Sequence, residues 1–117
     1  MAQSLQVQTR RTGNVLVVDL SGPMMSGSNL QDLRLAVRDA VADGETRLLL
    51  NCSGVGYIDS AGLGELIISF TTVRNRAGEL KLLNLSPKVS DLLAKMRLLS
   101  LFDVFADEAT AVNSFRS

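Results

Sequence analysis

The sequence predicts an α/β fold: a mixed β-sheet that opens with an N-terminal hairpin and is covered by about four α-helices. First, apolar and polar residues alternate from Leu5, and Gly13-Asn14 separates them from the apolar run 15–20, as in two strands joined by a tight turn. Second, strand-like and helix-like segments then alternate, which favours parallel strands joined by right-handed helical crossovers. Third, 117 residues with 46% hydrophobic content suit one domain over residues 1–117.

The first predicted helix follows the loop SGPMMSGS. Ser28 or Asn29 would cap it, because short polar side chains accept hydrogen bonds from the free N–H groups at a helix start. Its apolar residues recur at helical spacing, at Leu30, Leu33, Val37, Ala40 and Val41. The next run, RLLLN, is short and apolar enough to be a strand buried on both faces.

The second half of the chain continues this alternation. A helix is predicted over residues 60–76, then an internal strand in ELKLLNL, then a helix with Pro87 in its first turn. One apolar stripe of that third helix is expected to face the core, at Val89, Leu92, Leu93 and Met96. A short strand near residues 104–105 and a helix over 107–115 complete the expected order.

The composition argues against most catalytic and charge-driven functions. Twelve basic and twelve acidic residues cancel, and no run of like charge points to nucleic acid or an anionic membrane. With no histidine and one cysteine, common zinc sites, catalytic triads and internal disulfides cannot be assembled, so neither a metal nor a cofactor is expected. Cys52 follows an apolar run and is expected to be a small buried side chain rather than a nucleophile.

No segment predicts export or direct membrane insertion. The N-terminus lacks an apolar core with a cleavage-like site, and no apolar run approaches the roughly 20 residues that span a bilayer. A cytoplasmic protein is therefore expected. GVGYID matches only the start of a dinucleotide-binding loop, since the third glycine and a Walker lysine are missing, so nucleotide binding is not favoured.

The segment YIDSAGLGEL at residues 57–66 is the strongest functional candidate. Asp59 or Ser60 would cap the second helix. Gly62 and Gly64 then fall inside that helix, where each costs about 1 kcal/mol relative to alanine, so either the protein's own backbone or a second protein is expected to come close to this turn. A phosphate on Ser60 would meet the positive end of the helix dipole and would disturb a partner docked on the same turn.

The order of the elements, together with this segment, resembles the STAS domain, most closely the single-domain anti-sigma factor antagonists of bacteria. The resemblance spans nearly the whole chain. Its most specific part is residues 59–64, Asp-Ser-Ala-Gly-Leu-Gly, which resemble the family's Asp-Ser-x-Gly-Leu-Gly signature. It implies a STAS-like fold and a protein-binding module rather than an enzyme.

The resemblance also implies a phosphorylation switch. In that family, an anti-sigma factor that is itself a serine kinase phosphorylates the serine corresponding to Ser60, and a PP2C-type phosphatase removes the phosphate. The unphosphorylated antagonist binds the kinase and so frees a sigma factor. Ser60 is then the expected phosphorylation site. The residues implied to contact the partner are Asp59, Ser60, Ala61, Gly62, Leu63 and Gly64.

One segment departs from the family pattern. Many antagonists carry a Gly-Glu-Leu-Asp-like stretch after the second strand, whereas this chain has Gly22-Pro23-Met24-Met25 and lacks both carboxylates. Met24 and Met25 are interpreted either as an adaptable apolar contact for the partner or as buried gap-filling side chains. The missing carboxylates also motivate an alternative hypothesis, a constitutive scaffold subunit of a stress-signalling assembly or a lipid-transport complex.

An enzymatic function is a third hypothesis. Asp19, Asp59 and Asp103 are the conceivable acid–base groups, but the sequence shows no pairing between them. No catalytic residue is therefore assigned.

Overall fold

The computed structural model describes residues 4–115 of the chain. Its strands and helices are, in order, β1 (Gln6–Thr12), β2 (Val15–Ser21), α1 (Leu30–Ala42), β3 (Arg47–Gly54), α2 (Ser60–Arg74), β4 (Glu79–Leu83), α3 (Pro87–Lys95), β5 (Val104–Phe105) and α4 (Glu108–Ser114). A 3₁₀ turn at Leu99–Leu101 precedes β5. Over the described residues this order confirms the predicted α/β fold, with its opening hairpin and four helices.

The strands of the described residues form one mixed sheet in the order β1-β2-β3-β4-β5. β1 pairs antiparallel with β2, and Thr12 opposite Val15 places the hairpin turn at Gly13 and Asn14. β2, β3, β4 and β5 run parallel to one another. The carboxyl ends of these parallel strands therefore share one edge of the sheet, and the loops that lead into α1, α2 and α3 begin there.

Both faces of the sheet are covered. One core lies between the sheet and α1, α2 and α3, and it includes Leu48, Leu50 and Cys52 of β3. A smaller core lies under α4 and includes Leu49 of β3 and Ala111 of α4. β3 is thus buried on both faces, as predicted. Burial raises the pKa of the Cys52 thiol to about 12, which keeps it protonated and unreactive, as expected.

The start of α1 differs from the prediction. Asn29 is the boundary residue, but its backbone is left-handed (φ 66°) and its side chain makes no capping hydrogen bond. Ser28 does not cap the helix either: its buried hydroxyl accepts from the N–H of Met25 and lies within hydrogen-bond distance of the carbonyls of Met25 and Pro23. Ser28 therefore closes the loop before α1 on itself.

α3 begins as predicted and ends differently. The Ser86 hydroxyl accepts from the N–H of Val89 at 3.2 Å, and Pro87 lies in the first turn. The prediction of a core position is wrong for Met96, which is 55% exposed. Its position explains this, because α3 ends at Lys95 and the Met96 side chain lines a surface groove.

Candidate functional site

The loops after β2 and β3 are joined beyond the ends of their strands. Gly22 donates its N–H to the carbonyl of Gly54 at 2.9 Å, and Met24 donates to the carbonyl of Tyr57 at 3.0 Å. The N–H of Asp59 donates in turn to the carbonyl of Met24 at 3.1 Å. The parallel ladder thus continues into both loops and fixes the position from which α2 starts.

Asp59 caps α2 and also links the two loops. One carboxylate oxygen accepts from the N–H of Gly62 at 3.0 Å, and the other accepts from the N–H of Ser26 at 3.0 Å. Both hydrogen bonds lower the pKa of Asp59, because they stabilise the ionised carboxylate, and the hydrogen bond from Ser26 has the larger effect. Of the two capping candidates, Asp59 is therefore the cap, and Ser60 is the first residue of the helix.

The two glycines of the motif have different surroundings. A β-carbon on Gly62 would collide with the carbonyl oxygen of Met24 and would lie 2.7 Å from Cγ1 of Ile58. Gly62 is therefore required by the protein's own packing. A β-carbon on Gly64 would meet nothing within 4 Å, and Gly64 lines a surface groove.

The residues predicted to contact a partner divide into exposed and buried ones. Ser60 and Ala61 are exposed, and Asp59 and Gly64 are partly exposed. Gly62 and Leu63 are buried, although Leu63 lines a groove with its remaining surface.

The two methionines differ as well. The surface contact considered for Met24 is wrong, because its side chain is 1% exposed within the main core. Its backbone carbonyl is what contacts the start of α2. Met25 is half-buried, so part of its side chain faces solvent.

A groove of about 740 Å³ lies between the start of α2 and α3. We call it the α2–α3 groove. It is lined by Tyr57, Ile58, Asp59, Ser60, Leu63, Lys88, Asp91, Leu92, Lys95 and Met96. Tyr57 (46% exposed) and Met96 are large apolar side chains left open to solvent beside Ser60. Exposed side chains of this kind are typical of protein contact surfaces.

A second groove of about 520 Å³ lies between α1 and α2. We call it the α1–α2 groove. It is lined by Ser26, Gly27, Asn29, Leu30, Gln31, Arg34, Ala61, Gly64, Glu65 and Ile68. Glu65 is buried, and the guanidinium of Arg34 pairs with its carboxylate. The first turn of α2 therefore separates an apolar groove with lysines from a groove that contains an ion pair.

The sequence alone predicted no role for Tyr57, for the two lysines of the α2–α3 groove or for the Arg34–Glu65 pair. The lysines had a signal: Lys88 and Lys95 are seven residues apart on α3, so they lie on one side of the helix. The Arg34–Glu65 pair had no such signal, because the sequence does not show which residue of α1 lies against Glu65 of α2.

The carboxylates of the enzymatic hypothesis lie apart. Asp19 is on β2, where Arg10 donates to it at 2.7 Å and Asn51 at 2.8 Å, and the Arg10 contact lowers its pKa. Asp103 precedes β5, which β3 and β4 separate from β2 in the sheet. Asp59 is held by backbone N–H groups. Lowered pKa values at Asp19 and Asp59 are opposite to the raised value of a general acid.

Two further findings concern the described part of the chain. Among residues 4–115, no three His, Cys, Asp or Glu side chains are grouped so as to hold a metal ion. The helices seen there include none with the length and apolar content needed to cross a membrane.

A family model and a sequence relative each match most of the chain. The STAS domain model matches residues 6–111. BtrV of Bordetella bronchiseptica, for which the role of an anti-sigma factor antagonist has been proposed, is 29% identical over 103 residues, 88% of either chain.

Solved structures share the fold. An anti-sigma factor antagonist from Mycobacterium paratuberculosis superposes with a TM-score of 0.83 at 21% identity, over 97% of this chain and 96% of the other. The Bacillus cell fate determinant SpoIIAA, in its phosphorylated form, gives a TM-score of 0.72 at 23% identity, over 97% and 100%. At these identities the structures establish the fold alone. Since the family model covers most of the sequence, the chain belongs to the STAS domain family.

Proposed function

We propose that this protein is an anti-sigma factor antagonist, a binding module that sequesters an anti-sigma factor serine kinase while Ser60 is unphosphorylated. Binding the kinase frees a sigma factor. The observation that carries the proposal is the position of Ser60, which is exposed at the first residue of α2 and lines the α2–α3 groove. Its neighbours Asp59 and Gly62 are fixed by the fold, so the hydroxyl is presented on a rigid support.

The surroundings of Ser60 suit a contact that a phosphate would break. Tyr57 and Met96 provide exposed apolar area, and Leu63 adds to the same groove. A phosphate on Ser60 would bring about two negative charges into that area, close to the carboxylate of Asp59. A partner that covers the groove would have to desolvate those charges, which strongly weakens association.

The relatives support the general role. The structural relative from Mycobacterium paratuberculosis is named as an anti-sigma factor antagonist, and SpoIIAA has been solved in a phosphorylated form. The proposal includes a cytoplasmic location and reversal of the modification by a PP2C-type phosphatase. The kinase needs access to the Ser60 hydroxyl and the phosphatase needs access to the phosphate on it, and the exposure of Ser60 supplies both.

The test is a binding and phosphorylation assay with kinases from the native host. The protein is used to capture partners from host extract, and each captured kinase is purified. Its Kd is then measured for wild type, Ser60→Ala and Ser60→Asp. We expect the kinase to add about 80 Da at Ser60 of wild type only. Ser60→Ala should bind about as tightly as wild type, whereas Ser60→Asp should bind at least about tenfold more weakly, a loss near 1.4 kcal/mol.

Equal binding of Ser60→Asp and wild type, with no modification at Ser60, would reject the switch. Capture of transport or stress-assembly subunits in place of a kinase would then favour the constitutive scaffold. The absence of the family's two carboxylates from Gly22-Pro23-Met24-Met25 makes that the second candidate. Ser60→Ala is the matched control, because it removes the hydroxyl at an exposed helical position without adding charge.

A further inference from the structure

The α2–α3 groove contains two lysines to which the proposed switch assigns no role. The lysines of the chain are Lys81, Lys88 and Lys95, and the last two line this groove together with Ser60. Along α3 they are about 10 Å apart at 1.5 Å per residue. Both residues are exposed, and within residues 4–115 neither forms an ion pair.

Asp59 already holds backbone donors beside Ser60. Its carboxylate accepts from the N–H groups of Gly62 and Ser26. A phosphate on Ser60 would therefore lie next to a carboxylate that has taken the nearest donor of the helix start. Cations on another element of the structure would stabilise its negative charges.

We propose that Lys88 and Lys95 bind the phosphate of phosphorylated Ser60 inside the α2–α3 groove, so that the modified side chain is held on its own domain. This inference rests on the proposed function for the existence of the modification. Lysine suits this role because its ammonium group is a compact charge on a flexible four-carbon stem, which reaches across a groove without fixed geometry.

The other charged groups of the groove are compatible with this pairing. Asp59 is occupied by backbone donors, and Asp91 is exposed on α3, three residues from one lysine and four from the other. The Nζ atom of Lys88 lies 6.0 Å from the ring centroid of Tyr57, which is three residues before Ser60. This contact places the ammonium group of Lys88 close to the segment that leads into Ser60.

The pairing gives the switch a second component. A phosphate bound by the lysines would fill the space that a partner side chain would take between Tyr57 and Met96. Phosphorylation would then weaken partner binding by occupying the groove as well as through the cost of desolvating the phosphate. It would also remove two cations that an acidic partner segment would otherwise meet.

The test places phosphoserine at position 60 by genetic code expansion and follows its phosphorus-31 resonance against pH at about 0.15 M salt. The proteins compared are wild type, Lys88→Gln/Lys95→Gln, and the control Arg38→Gln/Arg76→Gln, which removes two positive charges from exposed residues outside the groove. Nearby cations favour the phosphate dianion and so lower the pKa of its last proton. We therefore expect this pKa to be higher in the lysine variant than in wild type by about half a pH unit or more. The control should titrate with wild type, because distant exposed charges are screened at this salt.

A charge-conserving variant, Lys88→Arg/Lys95→Arg, should return the titration to near the wild-type value. Amide spectra of each protein check the fold, and the single lysine variants give the same readout in smaller steps if the double variant is unstable. Identical titration of wild type and both glutamine variants would overturn the proposal. The phosphoserine is installed without a kinase, so the two proposals fail independently. Identical titrations would not bear on kinase binding, and a failure of kinase binding would not change the titration.

Discussion

The carbonyl oxygen of Met24 occupies the space that a β-carbon on residue 62 would need. The same oxygen accepts the N–H of Asp59 at 3.1 Å, so it is held in place by the first residue before α2. The loop after β2 and the first turn of α2 are therefore in backbone contact. Gly62 is the residue that permits this contact, whereas Gly64, two positions later, faces open space.

Gly62→Ala is expected to destabilise the protein by about 2–3 kcal/mol. The added methyl group would force apart two backbone segments, and neither can move as a flexible side chain can. The measurement is the free energy of unfolding from urea titration. A loss below about 0.5 kcal/mol would contradict the contact between Met24 and residue 62.

Gly64→Ala provides the matched comparison on the same helix. With nothing near the new methyl group, the higher helix propensity of alanine should stabilise the protein by about 0.5–1 kcal/mol. If a partner covers the α1–α2 groove, the same variant should bind it more weakly despite its greater stability. Unchanged affinity for the captured kinase would exclude Gly64 from the interface.

Asp59→Asn should reduce the acid sensitivity of the fold. The N–H groups of Ser26 and Gly62 lower the pKa of Asp59 below its ordinary value of 3.8, so the unfolded chain binds the proton more readily than the folded protein. The resulting stabilisation is present above pH 3.8 and is lost as the pH falls through the folded-state pKa. Asparagine keeps an oxygen for Gly62 and loses the acceptor for Ser26.

The check is the urea midpoint of both proteins at several pH values between about 5 and 2.5. Wild type should be the more stable protein at the upper end, and the difference should shrink steadily towards the lower end. Other carboxylates titrate in both proteins and cancel in the comparison. Two parallel curves would mean that the hydrogen bonds to Asp59 do not stabilise the folded state.

The sequence was sufficient for the fold because its local signals are consistent with one another. β3 contains the short apolar run Leu48-Leu49-Leu50, which the sheet buries on both faces. Ser86 and Pro87 mark the start of α3. The α1 start was mispredicted for a reason of tertiary structure. The loop before it is closed by Ser28, and a side chain that bonds within its own loop is no longer available to cap.

The candidate site was predictable only where its chemistry lies along the chain. The motif around Ser60 is contiguous, and spacing alone gave Asp59 as a capping candidate. The grooves depend on how α1 and α3 pack against α2, which periodicity does not specify. Met96 illustrates the limit, since its helical spacing from Leu92 and Leu93 is typical of a core position, yet α3 ends one residue earlier.

Ser69→Ala should stabilise the protein, and Ser28→Ala should destabilise it. Both serines are 1% exposed, but among the described residues the Ser69 hydroxyl has no hydrogen-bond partner, whereas the Ser28 hydroxyl accepts from one backbone N–H and has carbonyls at 2.6 and 2.9 Å. An unsatisfied buried hydroxyl costs about 1–3 kcal/mol, and its removal recovers part of that.

Thermal and urea unfolding of the two alanine variants measure this difference. We expect a gain of about 1 kcal/mol for Ser69→Ala, and a loss of similar size for Ser28→Ala because the N–H of Met25 is left without its acceptor. A loss of stability on Ser69→Ala would show that the hydroxyl makes a hydrogen bond, for example to water or to a carbonyl of the preceding turn.

Lys81→Met should loosen α4 selectively. Lys81 is buried on β4, and its Nζ donates to the carbonyl of Ser114 at 3.1 Å and to the hydroxyl of Ser114 at 2.9 Å. The same Nζ atom lies 4.7 Å from the ring centroid of Phe115. Lys81 therefore connects β4 of the sheet to the end of α4. The last carbonyls of a helix have no partner within the helix, and a cation there supplies one.

Methionine keeps the apolar stem and removes the donor, so the expected loss is about 1–2 kcal/mol in the free energy of unfolding. Amide hydrogen exchange should accelerate in α4 while α2, which packs on the opposite face of the sheet, exchanges as in wild type. Lys88→Met is the control, since it removes an exposed lysine and should leave exchange in α4 unchanged. Equal acceleration throughout the sheet would show that Lys81 supports the whole fold rather than the docking of α4.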